Sequence, residues 1–212
     1  MKVLELFAGS RSIWKVCDDL WCEVFSTDLY QFEKINLSKD ILDFNIDDVP
    51  FIPDVIWASP PCTWFSVAAI GKNWVKWEEC TPKTDSARLW IKILDRTIFL
   101  IKEFQKLNPN LIFFIENPRW KMRKAPQLKN FGRRETVTYC QYWYSYMKPT
   151  DIWTNSKSWI PKKMCKNWMP CHQSAPRGSK TWVQWLKWDY LRSMIPEELC
   201  IEIIWSTKNL WN

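Results

Sequence analysis

The chain has 212 residues, 47% of them hydrophobic, and a formal net charge of +7, enough chain for one domain with a real core. No stretch approaches the roughly 18 continuous apolar residues of a membrane span, which excludes a helical integral membrane protein. The basic balance, with a pI near 9.0, fits a polyanion such as DNA as partner and equally fits a merely basic surface.

In chain order, Lys2 to Phe7 reads as a first strand. It begins without a signal-peptide layout, so a cytoplasmic protein is expected. There the eight cysteines are read as free thiols or ligands rather than disulfides. Arg11 to Leu20 reads as a helix with Ser10 or Ser12 as N-cap. Glu23 to Thr27 is a second strand ending at Asp28, and Lys39 to Asp43 closes a short third unit. Asp54 to Ala58 is a buried strand that stops at Ser59-Pro60-Pro61-Cys62. Thr63 to Thr84 reads as a long loop. Ser86 to Leu107 is the clearest helix, with apolar positions at Leu89, Ile93, Ile98, Ile101 and Phe104. Leu111 to Ile115 is another buried strand, followed by Glu116-Asn117-Pro118. Glu135 to Tyr139 and Asp151 to Thr154 read as strands, Pro161 to Lys180 as loop, and Pro196 to Trp205 as a helix. Alternating strands and helices predict an α/β fold: a mostly parallel, doubly wound sheet with helices on both faces, in one domain spanning 1–212.

Three turns carry chemistry. Gly9 in Phe7-Ala8-Gly9-Ser10 lets backbone approach a ligand, and the helix start after it offers unpaired N–H groups. Asp28, at a strand end, suits the hydroxyls of a ribose. Cys62, on a stiff turn past a strand end, is where an α/β enzyme would hold a nucleophile, although free cysteines are often buried and inert. Glu116, after another strand, is placed to act as an acid.

Together and in this order, Phe7-Ala8-Gly9-Ser10, Ser59-Pro60-Pro61-Cys62 and Glu116-Asn117-Pro118 resemble the DNA (cytosine-5)-methyltransferase family, most strongly from Met1 to Asn117 and again from Tyr139 to Asn155. The resemblance implies an S-adenosylmethionine (SAM)-dependent methyltransferase fold of the Rossmann-like kind. It implies a cofactor site at Phe7, Ala8, Gly9, Ser10, Asp28, Asp40, Ile41 and Pro60. Cys62 would attack cytosine and Glu116 would assist at ring nitrogen 3. Pro61, Ser66, Asn117, Arg119, Gln141 and Lys148 would line the substrate side. Gln141 resembles the start of a Gln-Arg-Arg segment whose arginines are absent here, with Lys148 the nearest basic residue. The implied partner is duplex DNA with a flipped cytosine, bound by a monomer. A small target-recognition region is confined to about 156–187, and Arg119, Lys121, Arg123 and Lys124 would touch phosphates. Compactness suggests a phage or mobile-element origin and a place in restriction-modification. A DNA-binding relative without turnover is the alternative, and an RNA substrate also fits the charge. An amino-group methyltransferase is disfavoured, because it needs an aromatic residue where Cys62 stands.

Cys165, Cys171 and His172 match no standard zinc finger and would need a fourth ligand such as Cys140, so no metal is expected. Finally, tryptophan occurs 17 times and glycine 4 times, against about 15 glycines at average usage. Trp14, Trp21, Trp120, Trp143, Trp182, Trp185 and Trp188 sit where glycine makes physical sense. They are read as UGA codons that the source organism translates as glycine, whereas Trp57, Trp74 and Trp153 have settings that accept a large ring.

Overall fold

A computed structural model describes residues 1–63, 70–174, 191 and 193–208. Among these, seven strands form one sheet: β1 (Lys2–Leu6), β2 (Glu23–Asp28), β3 (Leu37–Ser38), β4 (Val55–Ala58), β5 (Ile112–Pro118), β6 (Arg133–Thr138) and β7 (Pro149–Thr154). Their order is β3-β2-β1-β4-β5-β7-β6. The first five pair in parallel, and β7 runs antiparallel to both β5 and β6.

Side chains alternate across a strand, and the two resulting faces build two cores. Leu4, Leu6, Ile56, Phe113 and Ile115 pack under α2 (Asp85–Leu107). Val3, Val55, Trp57, Ile112 and Phe114 pack under α1 (Ser12–Asp19) and α3 (Glu197–Lys208). Helices therefore cover both faces, as the strand–helix alternation predicts.

Local details depart from the sequence reading. The buried stripe of α2 is Ala87, Trp90, Leu94, Thr97, Ile98, Leu100, Ile101 and Phe104. Leu89 faces outward, because the stripe runs from Ala87 to Trp90 and Leu94 and passes it by. Thr84 caps this helix by accepting from the Ala87 N–H at 3.2 Å. The N-cap of α1 is Arg11, in a left-handed conformation with no side-chain cap, not Ser10 or Ser12. A buried carboxylate does the capping instead: Glu5, from β1, accepts the Ile13 N–H at 3.2 Å and the Ser26 hydroxyl at 3.0 Å.

Glu116-Asn117-Pro118 does not follow β5 but lies within it. The ladder to β7 continues there, with Glu116 opposite Ile152 and Asn117 opposite Asp151. The apolar run ends at Ile115, but the backbone hydrogen bonds do not.

Trp57, Trp74 and Trp153 are buried. Trp21, Trp77 and Trp143 have φ of 57°, 72° and 68°, the left-handed region that glycine enters without penalty, and are 93%, 90% and 80% exposed. Trp14 does not crowd α1 against the sheet. The buried side of α1 is Ser12, Ile13, Val16 and Cys17, and Trp14 lies between the Arg11 and Lys34 cations, 4.1 and 4.9 Å from its ring centre. Trp182, Trp185 and Trp188 lie outside the described residues, as does the part of the expected recognition region beyond residue 174.

Candidate active site

Parallel strands end their C-terminal edges together, and a ligand site forms beyond them where the strand order reverses. Here that point is between β1 and β4, and the predicted residues cluster around it by topology.

The loop after β1 is held by its neighbours. Ala8 donates its N–H to the Thr27 carbonyl at 3.1 Å, and Gly9 donates to Asp28 Oδ2 at 3.0 Å. Asp28 Oδ1 accepts the Tyr30 N–H at 3.1 Å. A carboxylate offers about four lone-pair sites, so Asp28 retains acceptor capacity for two vicinal hydroxyls. Ser10 and Ser12 share a hydroxyl hydrogen bond of 2.9 Å. Phe7 has a φ of 59°, which turns the chain away from the strand direction. Asp40 accepts the Leu42 N–H at 2.9 Å, a local turn that leaves this aspartate exposed while Ile41 is buried. These acceptors, a backbone turn and an apolar side chain form the donor and acceptor set that an adenosine group requires, so the residues present fit SAM.

The second half lies beyond β4 and β5, adjacent parallel strands. The Asn117 amide donates to the Pro60 carbonyl at 2.9 Å, and the Trp90 indole donates to the Pro61 carbonyl. Both prolines are thereby pinned from below, and Cys62 follows them exposed at the surface. Proline supplies no N–H, so its carbonyl is the group through which such a turn can be fixed. Ser66 lies outside the described residues.

Glu116 is 6% exposed. Tyr139 donates its phenol to Oε1 at 3.1 Å, and the Ser59 hydroxyl also bonds the carboxyl. That hydroxyl accepts in turn from the Trp57 indole at 2.8 Å. Burial raises the pKa of Glu116, against the lowering influence of the Lys148 charge and of the Tyr139 and Ser59 hydrogen bonds. Lys148 is 7% exposed, with Nζ 4.5 Å from the Tyr139 ring centre. Burial lowers its pKa, and the charges of Glu116 and Cys62 oppose that. Lys148 is thus the group through which the cysteine and the glutamate share one electrostatic neighbourhood.

Other predicted residues have different occupations. Gln141 directs its amide to Cys171 Sγ at 3.3 Å, so the side chain of this turn that reaches the glutamate is Tyr139, two residues earlier. Arg123 is no free phosphate contact: it forms an ion pair of 2.6 Å with the fully buried Asp151. Lys121 donates to the Glu78 carbonyl at 2.7 Å. Arg119 is exposed, with its guanidinium 3.8 Å from Met164 Sδ. A groove of about 480 Å3, lined by Glu79, Lys129, Arg134 and Trp153 among others, includes Arg123 and Lys124 of the expected phosphate contacts but neither Cys62 nor any expected cofactor residue.

Glu5, Tyr139 and Ser59 went unrecognised in the sequence. The signal for Glu5 was a lone carboxylate inside the apolar run Val3 to Leu6. Tyr139 carried none that separates it from the other tyrosines of Tyr139 to Tyr146.

Comparison with known proteins places these features in context. No protein-family model matches the chain. It is 29% identical over 171 residues to the "Probable DNA (cytosine-5)-methyltransferase" of Frog virus 3 (isolate Goorha), covering 76% of this chain and 74% of that protein. Among solved structures, the methyltransferase EhMeth of Entamoeba histolytica matches with a TM-score of 0.52 at 12% identity, over 78% of this chain and 57% of that one. The S. pombe Dnmt2 methyltransferase matches with a TM-score of 0.49 at 14% identity, over 76% of this chain and 52% of that one. The chain therefore spans little more than half the length of these solved chains. The fold is that of the Rossmann-like methyltransferases, and the likeness to the Frog virus 3 protein extends along three quarters of the sequence.

Proposed function

We propose that the chain is a SAM-dependent methyltransferase that places a methyl group on carbon 5 of cytosine in DNA. The observation that carries this reading is the convergence of Cys62, Glu116 and Lys148 at the carboxyl end of β4, where Glu116 lies in β5 one residue past its pairing with that strand, beside the loop held by Asp28.

Carbon 5 of cytosine is a weak nucleophile in an electron-poor ring. Addition of the Cys62 thiolate to carbon 6 converts the ring to an enamine that can take up an electrophilic methyl group at carbon 5. A thiolate is needed, and a nearby cation favours it, which is the role of Lys148. Negative charge develops toward ring nitrogen 3 as sulfur adds. Glu116, whose pKa burial raises, is the acid that donates a proton there. Phe7 to Ser10, Asp28, Asp40, Ile41 and Pro60 would hold SAM, whose sulfonium would supply the methyl group and be left as the thioether of S-adenosylhomocysteine. Removal of the carbon 5 proton by a base then expels Cys62 as thiolate, and nitrogen 3 returns its proton to Glu116. Pro61 and Arg119, both exposed, would face the base and its phosphates, while the buried Asn117 would hold the proline turn beneath them. Such a base must leave the duplex, because its reacting atoms are otherwise inside the stack.

The test is methyl transfer from radiolabelled SAM to duplex DNA, with bisulfite sequencing to locate the product. DNA carrying 5-fluorocytosine provides a trap, because a fluorine at carbon 5 cannot be abstracted as a proton. The expected result is a covalent protein–DNA species with the native chain and none with Cys62→Ser, while Cys62→Ser still binds SAM in calorimetry. Methylation by Cys62→Ser at the native rate would overturn the mechanism. SAM binding with neither transfer nor trapping would favour a DNA-binding relative without turnover.

A further inference from the structure

The geometry points to a structural zinc site formed by Cys140, Cys165, Cys171 and His172. The four side chains come from two places. Cys140 lies on the turn Tyr139–Tyr142 after β6. The others lie on residues 160–174, which contain neither helix nor strand. Their four ligand atoms nevertheless lie within 4.8 Å of one another. Cys171 Sγ is 3.7 Å from Cys140 Sγ and 3.6 Å from His172 Nδ1, and Cys165 Sγ is 3.7 Å from the same nitrogen. With zinc–sulfur bonds of about 2.3 Å and zinc–nitrogen bonds of about 2.0 Å, a tetrahedral site has edges of roughly 3.5–3.8 Å. Three of the observed separations meet that figure. The fourth, 3.1 Å between Cys140 and Cys165, is shorter and would open on binding.

Three thiols and an imidazole are a closed zinc set with no open position, so the site would be structural rather than catalytic. Soft ligands of this kind exclude magnesium and calcium. A disulfide between Cys140 and Cys165 is the competing account, but it leaves the convergence of Cys171 and His172 unexplained. The surroundings suit a bound metal. Gln141 offers an amide N–H to Cys171 Sγ at 3.3 Å, the outer-shell contact that orients such ligands. The Cys165 N–H is anchored on Thr138 Oγ1 at 3.0 Å.

Zinc here would tie an irregular segment to the turn that carries Tyr139, and Tyr139 is the partner of Glu116. This second consequence, unlike metal binding itself, rests on the proposed methyl transfer.

The test is the metal content of the full chain purified without chelator, by inductively coupled plasma mass spectrometry. About one zinc per chain is expected, falling below one tenth in Cys171→Ser and in His172→Ala. It should be retained in Cys22→Ser, which lies outside the cluster, and in His172→Cys, which restores four ligands. Cobalt exchanged into the native chain should give the intense visible absorption of a tetrahedral thiolate site. A natively folded chain, judged by circular dichroism, that takes up neither zinc nor cobalt would overturn the proposal. So would a Cys140–Cys165 disulfide found by peptide mapping of the metal-free chain as isolated, or zinc content unchanged in Cys171→Ser and His172→Ala. If zinc is bound as stated but the chain transfers no methyl group, the metal site stands and the proposed activity fails.

Discussion

The phenol of Tyr139 donates to Glu116 Oε1 at 3.1 Å, with both residues buried. A hydrogen bond to a carboxylate favours its charged form, so Tyr139 holds Glu116 less acid-loving than burial alone would make it. Tyr139→Phe should raise the Glu116 pKa further. The alkaline limb of the kcat profile, where the proposed mechanism has Glu116 lose the proton it donates, should move to higher pH. The acid limb, set by Cys62, should stay in place. Activity near neutral pH should fall about tenfold through loss of positioning. Methylation rates across pH check this, and an unmoved alkaline limb would separate Tyr139 from Glu116.

Lys148 acts on both partners. Its charge lowers the Glu116 pKa, and the proposed mechanism has the same charge favour a thiolate at Cys62. Lys148→Met should therefore move both limbs to higher pH and lower kcat at pH 7 roughly 10- to 100-fold. Trapping on 5-fluorocytosine DNA should slow in parallel and recover at alkaline pH. Lys148 is buried beside Tyr139, so its contribution is read from the pH profile rather than from stability.

Glu5 controls stability rather than chemistry. Burial raises its pKa from 4.5 to about 7. Between these values the folded chain binds a proton that the unfolded chain has released, so stability falls as pH rises through that window and is level above it. At ~1.36 kcal/mol per pKa unit, the loss is on the order of 3 kcal/mol. Glu5→Gln keeps an acceptor for Ile13 and cannot ionise. Its denaturant midpoint should be nearly flat from pH 4.5 to 7 and should exceed the native midpoint at pH 8. An equal slope in both proteins would count against the buried, protonated Glu5.

The ion pair of Arg123 with Asp151 predicts a structural phenotype where a basic turn suggests a DNA one. Arg123→Met strands a fully buried carboxylate and should cost about 3 kcal/mol, recovered in part by adding Asp151→Asn. The salt dependence of DNA affinity should not change, because a residue that touches no phosphate releases no counterion. A slope reduced by about one would place Arg123 on the DNA after all.

Trp21, Trp77 and Trp143 should each gain stability on replacement by glycine, by about 1 kcal/mol, because a side chain in the left-handed region carries a penalty of that size. All three are exposed, so no core contact is lost. Thermal melts of the single variants measure this. If Trp14, Trp120, Trp182 and Trp185 are all encoded by UGG, the glycine reading of the sequence fails whatever the melts show.

Much of this arrangement was legible in the sequence because it depends on local signals. Apolar runs ending in turn residues marked β1, β2, β4 and β5, and strand–helix alternation fixed a parallel sheet with helices on both faces. Phe7-Ala8-Gly9-Ser10 and Ser59-Pro60-Pro61-Cys62 sit at strand ends, where a short motif is enough to locate a residue. What escaped was non-local. Glu116 was read as past its strand because hydrophobicity stops at Ile115, whereas pairing with β7 continues for three more residues. Tyr139 reaches Glu116 from 23 positions away, and Cys140 joins Cys165 from 25 away. Neither separation leaves a periodic trace. The α1 cap was misplaced for the same reason, since Glu5 caps it from the sheet below.

Because Glu116 lies within β5 and pairs with Ile152, its facing is governed by odd–even parity along the strand. A single-residue insertion between Ile112 and Ile115 would rotate the carboxyl to the α2 side and leave Asn117's place beneath the prolines to a different side chain. A length change in those four residues therefore disturbs facing in a way that one in a connecting segment remote from the site does not. A library of one-codon insertions scored for solubility and transfer separately would find there a stretch that still folds by neighbouring repair yet never turns over.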